Sequence, residues 1–166
     1  MSTIVDVRAR EILHSRGNPT LGGVVSTGLG NTGRGAVPVC GRIAAMTSVN
    51  DLADREARVL VDGETLALGT HQVRWFDTPH LPHGWESGLM MEEQTRTLLC
   101  GDLFTQGGAD LPALTESDIL GPSEALRSKL DYFAHSNSTR AMLERLAATE
   151  PTTLACMHGS AWRGDG

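Results

Sequence analysis

The sequence predicts a mixed α/β (α+β) protein in which strands come first and the longer helices come late. Short apolar runs bounded by turn residues, such as RTLLCGDLF and TTLACMHGS, are typical of strands. Amphipathic patterns of helical period begin only at Ser123 (SEALRSKLDYFAH) and Ser136 (SNSTRAMLERLAAT). The first helix should turn Ala125, Leu126, Leu130 and Phe133 inward, and the second Met142, Leu143 and Leu146.

Composition and charge exclude several classes of function. The chain has 166 residues, a length that suits one domain or two small pieces. Its net charge of −6 gives no basic field to hold nucleic acid or an anionic membrane. MSTIVDVRAR does not read as a secretion signal, and no run approaches the roughly 18 apolar residues of a membrane span. We therefore expect a cytoplasmic protein with three free thiols.

The first forty residues predict a β-hairpin or meander. Residues typical of strands run from Ile4 to Leu13, and TLGGVV predicts a second strand. Between them SRGNP, Ser15 to Pro19, has the residues typical of a turn. The glycine-rich stretch that follows contains GLGNTG, which lacks the spacing and the following helix of a phosphate-binding loop.

The middle of the chain predicts further short elements. A short helix is expected at Asn50 to Arg58, and VLVDGETLAL predicts a hairpin from Val59 to Leu68 around Asp62-Gly63. The run from His71 to Phe76 predicts a strand with Val73 and Trp75 on one face. SGLMMEE and RTLLCGDLF then predict two strands joined by a turn at Glu93 to Thr95, the second of them buried on both faces.

Two of the predicted strands end in polar side chains. RTLLCGDLF reaches Asp102 and TTLACMHGS reaches His158, each two residues after a cysteine on the same strand face, Cys100 and Cys156. This repeated arrangement predicts adjacent central strands whose carboxyl ends open on one edge. A buried aspartate there must be paired, hydrogen-bonded or bound to a cation.

The loop from Asp77 to His83 adds two histidines to this set, His80 and His83. Pro79 and Pro82 restrict the backbone, so the loop should be stiff enough to aim its side chains. Imidazole nitrogens and a carboxylate are ligands that transition metals use in proteins. The residues therefore predict a metal site.

Residues 43–166 resemble the C-terminal half of a metallo-β-lactamase-fold protein, in particular the branch of flavodiiron and related di-iron oxygen-binding proteins. The likeness lies in SVNDLADR, LALGTHQVRWFDTPHLPHGWESG, TLLCGDLFTQGG, LTESDI and ACMHGSAWRGDG. It implies half of an αββα sandwich, with a dinuclear metal site at the rim between the sheets.

The same resemblance implies a ligand set. His83 corresponds to a ligand of the first metal, with His80 as the alternative, Asp102 to the carboxylate that bridges both metals, and His158 to a ligand of the second metal. The family's remaining ligands come from a motif of the HxHxDH or HxExD type in its N-terminal half, and this chain contains no such motif.

Residues 1–39 resemble a different family, because MSTIVDVRAREIL, SRGNPT and GRGAVP are similar to the N-terminus of enolase. His14 stands where that family usually has an acidic residue, and the large barrel domain that carries enolase chemistry has no counterpart here. We therefore expect a hybrid chain without enolase activity, composed of a β segment (1–39) and a half-domain (43–166).

The resemblance implies metal-centred chemistry with iron or zinc. The bound metal would either activate a hydroxide against a small substrate, with Asp102 as the catalytic bridging group, or bind dioxygen as an iron pair. Because the first-half ligands are missing, we expect weak activity or none. The alternatives are a non-catalytic module that forms a homodimer or docks a complementing half-domain, and an inactive enolase-related fragment.

Overall fold

A computed structural model of the protein describes residues 4–13, 19–27, 32–33, 37–53 and 55–164, with side chains from residue 37 onward. The chain divides into two compact units, residues 1–38 and 39–166. The first unit is an antiparallel sheet in the order β1-β2-β3, built from β1 (Ile4–Leu13), β2 (Pro19–Thr27) and β3 (Thr32–Gly33). The predicted hairpin or meander is confirmed, although most of its SRGNP turn lies outside the described residues.

A separate pair of short parallel strands begins the second unit. β4 (Val39–Gly41) pairs with β5 (Arg58–Leu60). Between them the chain is helical through α1 (Arg42–Ala44), a π-helical segment (Ala45–Val49) and α2 (Asn50–Leu52). The helix predicted at Asn50 to Arg58 is thus wrong in position, because the helical backbone ends where Ala53 becomes extended.

A mixed seven-stranded sheet forms the body of this unit, in the order β10-β12-β11-β9-β8-β7-β6. Strands β6 to β9 pair antiparallel in sequence order, whereas β11 lies parallel to β9. The strands are β6 (Thr65–Leu68), β7 (His71–Asp77), β8 (Gly88–Glu92), β9 (Thr97–Gly101), β10 (Leu114–Thr115), β11 (Thr153–Cys156) and β12 (Ala161–Arg163). The predicted mixed α/β class is confirmed.

The hairpin predicted from Val59 to Leu68 is wrong, although its turn is present. Gly63 has a φ of 79°, a backbone conformation that favours glycine, and the Glu64 N–H donates to Val61 O at 2.9 Å. However, β5 pairs with β4 and β6 pairs with β7, so the turn carries the chain from one sheet to the other. Arg145 holds this turn by donating to both carboxylate oxygens of Asp62, at 2.7 and 2.8 Å.

The core lies on one face of the large sheet. Two helices follow β10, α3 (Leu120–Leu130) and α4 (Thr139–Ala147), and α4 contributes Met142 and Leu146 to this core. Leu98 and Cys100 of β9 are buried there, but Leu99 between them is 38% exposed on the other face. The prediction that this strand is buried on both faces is therefore wrong. The main core cluster comprises Phe76, Leu81, Leu89, Met91, Leu98, Cys100, Leu103, Met142 and Leu146.

The inward face predicted from the sequence is confirmed for α4 and wrong for α3. In α4 Met142 and Leu146 are buried, as predicted. In α3 the inward face is wrong, since Ala125 and Leu130 are exposed and Ser123 is the buried residue. Asp131 ends α3 with a left-handed backbone, so Phe133 reaches the core from the following loop. None of the helices among the described residues is long and apolar enough to cross a membrane.

The turn between β8 and β9 is organised by one carboxylate, Glu92. Its Oε2 accepts hydrogen bonds from the Thr95 hydroxyl and from the Thr95 N–H at 2.7 Å, and its Oε1 faces His71 Nδ1 at 3.1 Å. The hydrogen bonds from Thr95 lower the pKa of Glu92 from 4.5 to about 2. The ionised form is thus favoured in the folded protein.

This shift predicts how acid acts on stability. Because the pKa of Glu92 is lower in the folded protein than in the unfolded chain, ionised Glu92 stabilises the fold. This contribution is complete above pH 4.5, the pKa of the unfolded chain, and is lost as the pH falls towards about 2. Urea unfolding at pH 5, 4 and 3 should therefore show a shallower loss of unfolding free energy in Glu92→Gln than in the parent. Thr95→Ala, which keeps the backbone donor, should be intermediate, and a slope unchanged in Glu92→Gln would contradict this account.

Candidate metal centre

The parallel pairing of β9 and β11 brings their carboxyl ends to one edge of the sheet. Leu154 lies opposite Leu98 and Ala155 opposite Leu99 in this pair. Asp102 follows β9 directly, and His158 comes two residues after β11. The Met157 N–H donates to Gly101 O at 2.9 Å and extends the contact to the polar residues. The predicted adjacency of these strand ends is confirmed.

The loop between β7 and β8 is closed by its own hydrogen bonds. The Thr78 N–H donates to Ser87 O at 3.0 Å, and the Ser87 hydroxyl donates to Leu81 O at 2.7 Å. Leu81 is completely buried in the core cluster, which fixes the middle of the loop. This anchoring holds His83, two residues later, above the edge of the sheet.

His83, Asp102 and His158 come together at this edge. His83 Nε2 lies 3.0 Å from Asp102 Oδ2, and His158 Nε2 lies 3.3 Å from Asp102 Oδ1. The three side chains are 53%, 31% and 61% exposed, in that order. The carboxylate therefore has one imidazole nitrogen against each oxygen, at a solvent-accessible position.

The two histidines of the loop occupy different positions. His83 is the one that lies against Asp102. His80 is exposed, has a φ of 65°, and donates its backbone N–H to Gly84 O at 2.7 Å. The geometry thus favours His83 over His80 as the third member of the set.

One carboxylate oxygen of Asp102, Oδ1, is buried and lacks a hydrogen-bond donor among the described residues. His158 Nε2 lies 3.3 Å from this oxygen, close enough for an ion pair. The angle between the two groups does not suit a hydrogen bond, so within the described part of the chain Oδ1 accepts none. A buried carboxylate oxygen without a donor is costly, and a bound cation would offset that cost. Two imidazole nitrogens and a carboxylate also suit iron. The residues present therefore supply some of the ligands that a metal would need.

The fit is partial. A carboxylate that bridges two metals through its two oxygens would leave each metal with one oxygen and one imidazole from this chain. Consistent with this, no group of three His, Cys, Asp or Glu side chains arranged to hold one metal ion occurs among the described residues.

Two further residues position the site, and sequence reasoning missed both. The Tyr132 hydroxyl donates to the backbone oxygen of Asp102 at 3.3 Å, and its ring meets His83 edge-on with centroids 6.4 Å apart. Gln106 is buried, donates to Ser160 O and accepts from the Ser160 N–H, both at 3.1 Å, and so fixes the turn after His158. A Cβ at Gly159 would lie 2.7 Å from Gln106, so only glycine fits this turn.

Of the two neighbouring cysteines, Cys100 is buried in the core and Cys156 is half-buried. A hydrogen bond with Cys156, together with burial, raises the pKa of the Cys100 thiol well above its ordinary value. Cys100 is therefore a protonated thiol at neutral pH, and thiols, unlike thiolates, are poor metal ligands. All three cysteines are free, as predicted.

Solved structures similar to this chain include flavodiiron proteins and a chemotaxis sensor. Rubredoxin oxygen:oxidoreductase from the anaerobe Desulfovibrio gigas matches with a TM-score of 0.63 and 22% identity, over 76% of this chain and 33% of that one. The flavodiiron protein from Giardia intestinalis matches with a TM-score of 0.64 and 19% identity, over 76% and 32%. The apo chemotaxis sensor ODP from T. denticola matches with a TM-score of 0.61 and 14% identity, over 78% and 54%.

These likenesses establish a metallo-β-lactamase-like fold, as the sequence predicted. The chain spans about a third of the length of the Desulfovibrio gigas and Giardia intestinalis proteins and about half that of the sensor. No family model matches the sequence. The neighbours named here give no support to the resemblance of residues 1–39 to enolase.

Proposed function

We propose that this chain, with its metallo-β-lactamase-like fold, is an iron-binding protein of the di-iron oxygen-binding type whose own turnover is weak or absent. One observation carries the proposal: each carboxylate oxygen of Asp102 faces an imidazole Nε2, at 3.0 Å for His83 and 3.3 Å for His158. The neighbours support the choice of metal, since those named above include a flavodiiron protein. An iron pair, when bound, supplies redox-active metal that can bind dioxygen.

The side chains have separate roles in this proposal. Asp102 would contact both metal positions, and this makes it the residue on which the centre depends. His83 and His158 would each supply one neutral imidazole nitrogen. Tyr132 holds the backbone oxygen of Asp102, while Gln106 fixes the turn that follows His158.

Weak turnover follows from exposure and from the donor count. Catalytic sites gain much of their electrostatic strength by excluding water, yet the His83 and His158 side chains are more than half exposed. Coordination positions of the metals that the described residues do not fill would be open to water. Iron binding is therefore the property to measure first, ahead of oxygen consumption.

Comparison of the two loop histidines tests the assignment. His83→Ala should lower the affinity for ferrous iron by at least about 10- to 100-fold, the loss typical of removing a residue that only supports a metal ligand. His80→Ala, the same change three residues earlier in the loop, should leave the affinity within about twofold, because His80 does not lie against Asp102. Anaerobic calorimetric titration measures both, and the reverse order of effects would assign the ligand to His80.

A further inference from the structure

A small cleft lies between the start of α1 and the loop that joins β7 to β8. Its volume is about 100 Å³, and none of His83, Asp102 and His158 lines it. Pockets that hold drug-sized ligands measure roughly 300–1,000 Å³. The cleft therefore suits a molecule of only a few heavy atoms, and it is distinct from the candidate metal centre.

Charged groups of both signs line this cleft without pairing with each other. The guanidinium of Arg42, the first residue of α1, forms no ion pair or hydrogen bond with a described residue, and neither does the carboxylate of Glu86. Asp77 Oδ1 accepts from the Trp75 indole N–H at 2.7 Å, whereas Asp77 Oδ2 has no donor in the described part of the chain. The cleft thus offers one cation and two carboxylates to a ligand.

Apolar side chains line the same cleft. They are Ile43, Pro79 and Trp85, and the Trp85 side chain is 61% exposed. The face of an indole ring attracts an ammonium group electrostatically and also packs against methyl groups. This part of the wall can therefore contact a ligand that carries a cation beside a short alkyl group.

We infer that the cleft binds a small free α-amino acid such as alanine. Arg42 holds the α-carboxylate, because a guanidinium can donate two parallel hydrogen bonds to a carboxylate. Asp77 and Glu86 hold the α-ammonium group, and Trp85 packs against the side chain. A simple amine would leave Arg42 unpaired and a simple anion would face two carboxylates, so a zwitterion matches the charges best.

The test uses the full chain with chelator present, so that it does not depend on the proposed iron binding. The chain has three tryptophans, which give three indole N–H signals in a proton–nitrogen correlation NMR spectrum, and Trp85→Phe identifies the signal of Trp85. Added L-alanine should shift this signal saturably. The dissociation constant should be about 1–10 mM, since exposed ion pairs contribute little.

Two analogues separate the contributions of the charges. L-alaninamide lacks the carboxylate and propionate lacks the ammonium group, and each should bind at least about fivefold more weakly than L-alanine. Arg42→Gln should weaken the binding of L-alanine by the same factor and leave the binding of alaninamide within about twofold. Arg140→Gln, a matched change at an exposed arginine of α4, should bind L-alanine like the parent.

Three results would overturn the inference. The first is no saturable shift of the Trp85 signal up to about 50 mM L-alanine. The second is an analogue that binds as tightly as L-alanine, which would make the cleft a site for simple organic cations or anions. The third is an equal loss in Arg42→Gln and Arg140→Gln, which would indicate a general charge effect. Each would leave the proposed iron binding standing, because no iron is present.

Discussion

Replacing Asp102 with alanine is expected to abolish measurable iron binding, lowering the affinity by more than about 100-fold, beyond the range usual for residues that only support a metal site. In the proposed centre, His83→Ala and His158→Ala would each remove a nitrogen from one metal position. Asp102→Ala would remove an oxygen from both, since Oδ1 and Oδ2 face different histidines. Anaerobic titration of the three variants should therefore rank Asp102→Ala as the most damaged.

Asp102→Asn is the control that separates metal binding from folding. The amide keeps the size of the side chain and leaves the backbone oxygen that accepts from Tyr132. Because Oδ1 accepts no hydrogen bond within the described part of the chain, the amide group of asparagine can replace it without breaking one. At pH 8, metal-free Asp102→Asn should therefore be as stable as the parent to within about 1 kcal/mol.

The opposite pattern would contradict the proposed role. If Asp102→Asn binds iron like the parent but unfolds at markedly lower urea, Asp102 is a structural carboxylate. Urea unfolding with chelator, beside titration of the same samples, distinguishes the two roles.

Sequence singled out Asp102 and His158 because each follows an apolar strand. Asp102 and His158 each come two residues after a cysteine, Cys100 in the core and Cys156 half-buried, and β9 and β11 pair in parallel as that pattern predicts. The loop histidine was left open between His80 and His83, since both are polar residues in a proline-rich loop. Only the structure shows that His83 lies against Asp102. The metal role of all three residues stays a prediction.

What sequence missed depends on contacts between distant residues. Asp62 and Gly63 are residues typical of a tight turn, but a turn motif does not determine which strands pair. In the structure β5 pairs with β4. Tyr132 and Gln106 follow no motif; they matter because the fold brings them to Asp102 and Ser160. Leu99 illustrates the same point, since an apolar run does not reveal that one face of the strand remains exposed.

Leu81→Ala is expected to be the most destabilising change near the site, costing about 2–5 kcal/mol of unfolding free energy. Leu81 is fully buried against the core cluster and its carbonyl accepts the Ser87 hydroxyl, so it fixes the loop that carries His83. Truncation leaves a cavity that the hydrogen-bonded loop cannot readily close. Urea unfolding in the presence of chelator measures this cost without a contribution from bound metal.

Leu130→Ala is the matched control, because it makes the same chemical change at a leucine that is 63% exposed at the end of α3. It should alter stability by no more than about 0.5 kcal/mol. Leu81→Ala should also bind iron more weakly than the parent, by up to about tenfold, because its loop holds His83 less firmly. This affinity is measured at a temperature where Leu81→Ala is fully folded. If the two variants unfold alike, Leu81 does not anchor the loop. If Leu81→Ala is destabilised but binds iron like the parent, the position of His83 does not depend on that anchor.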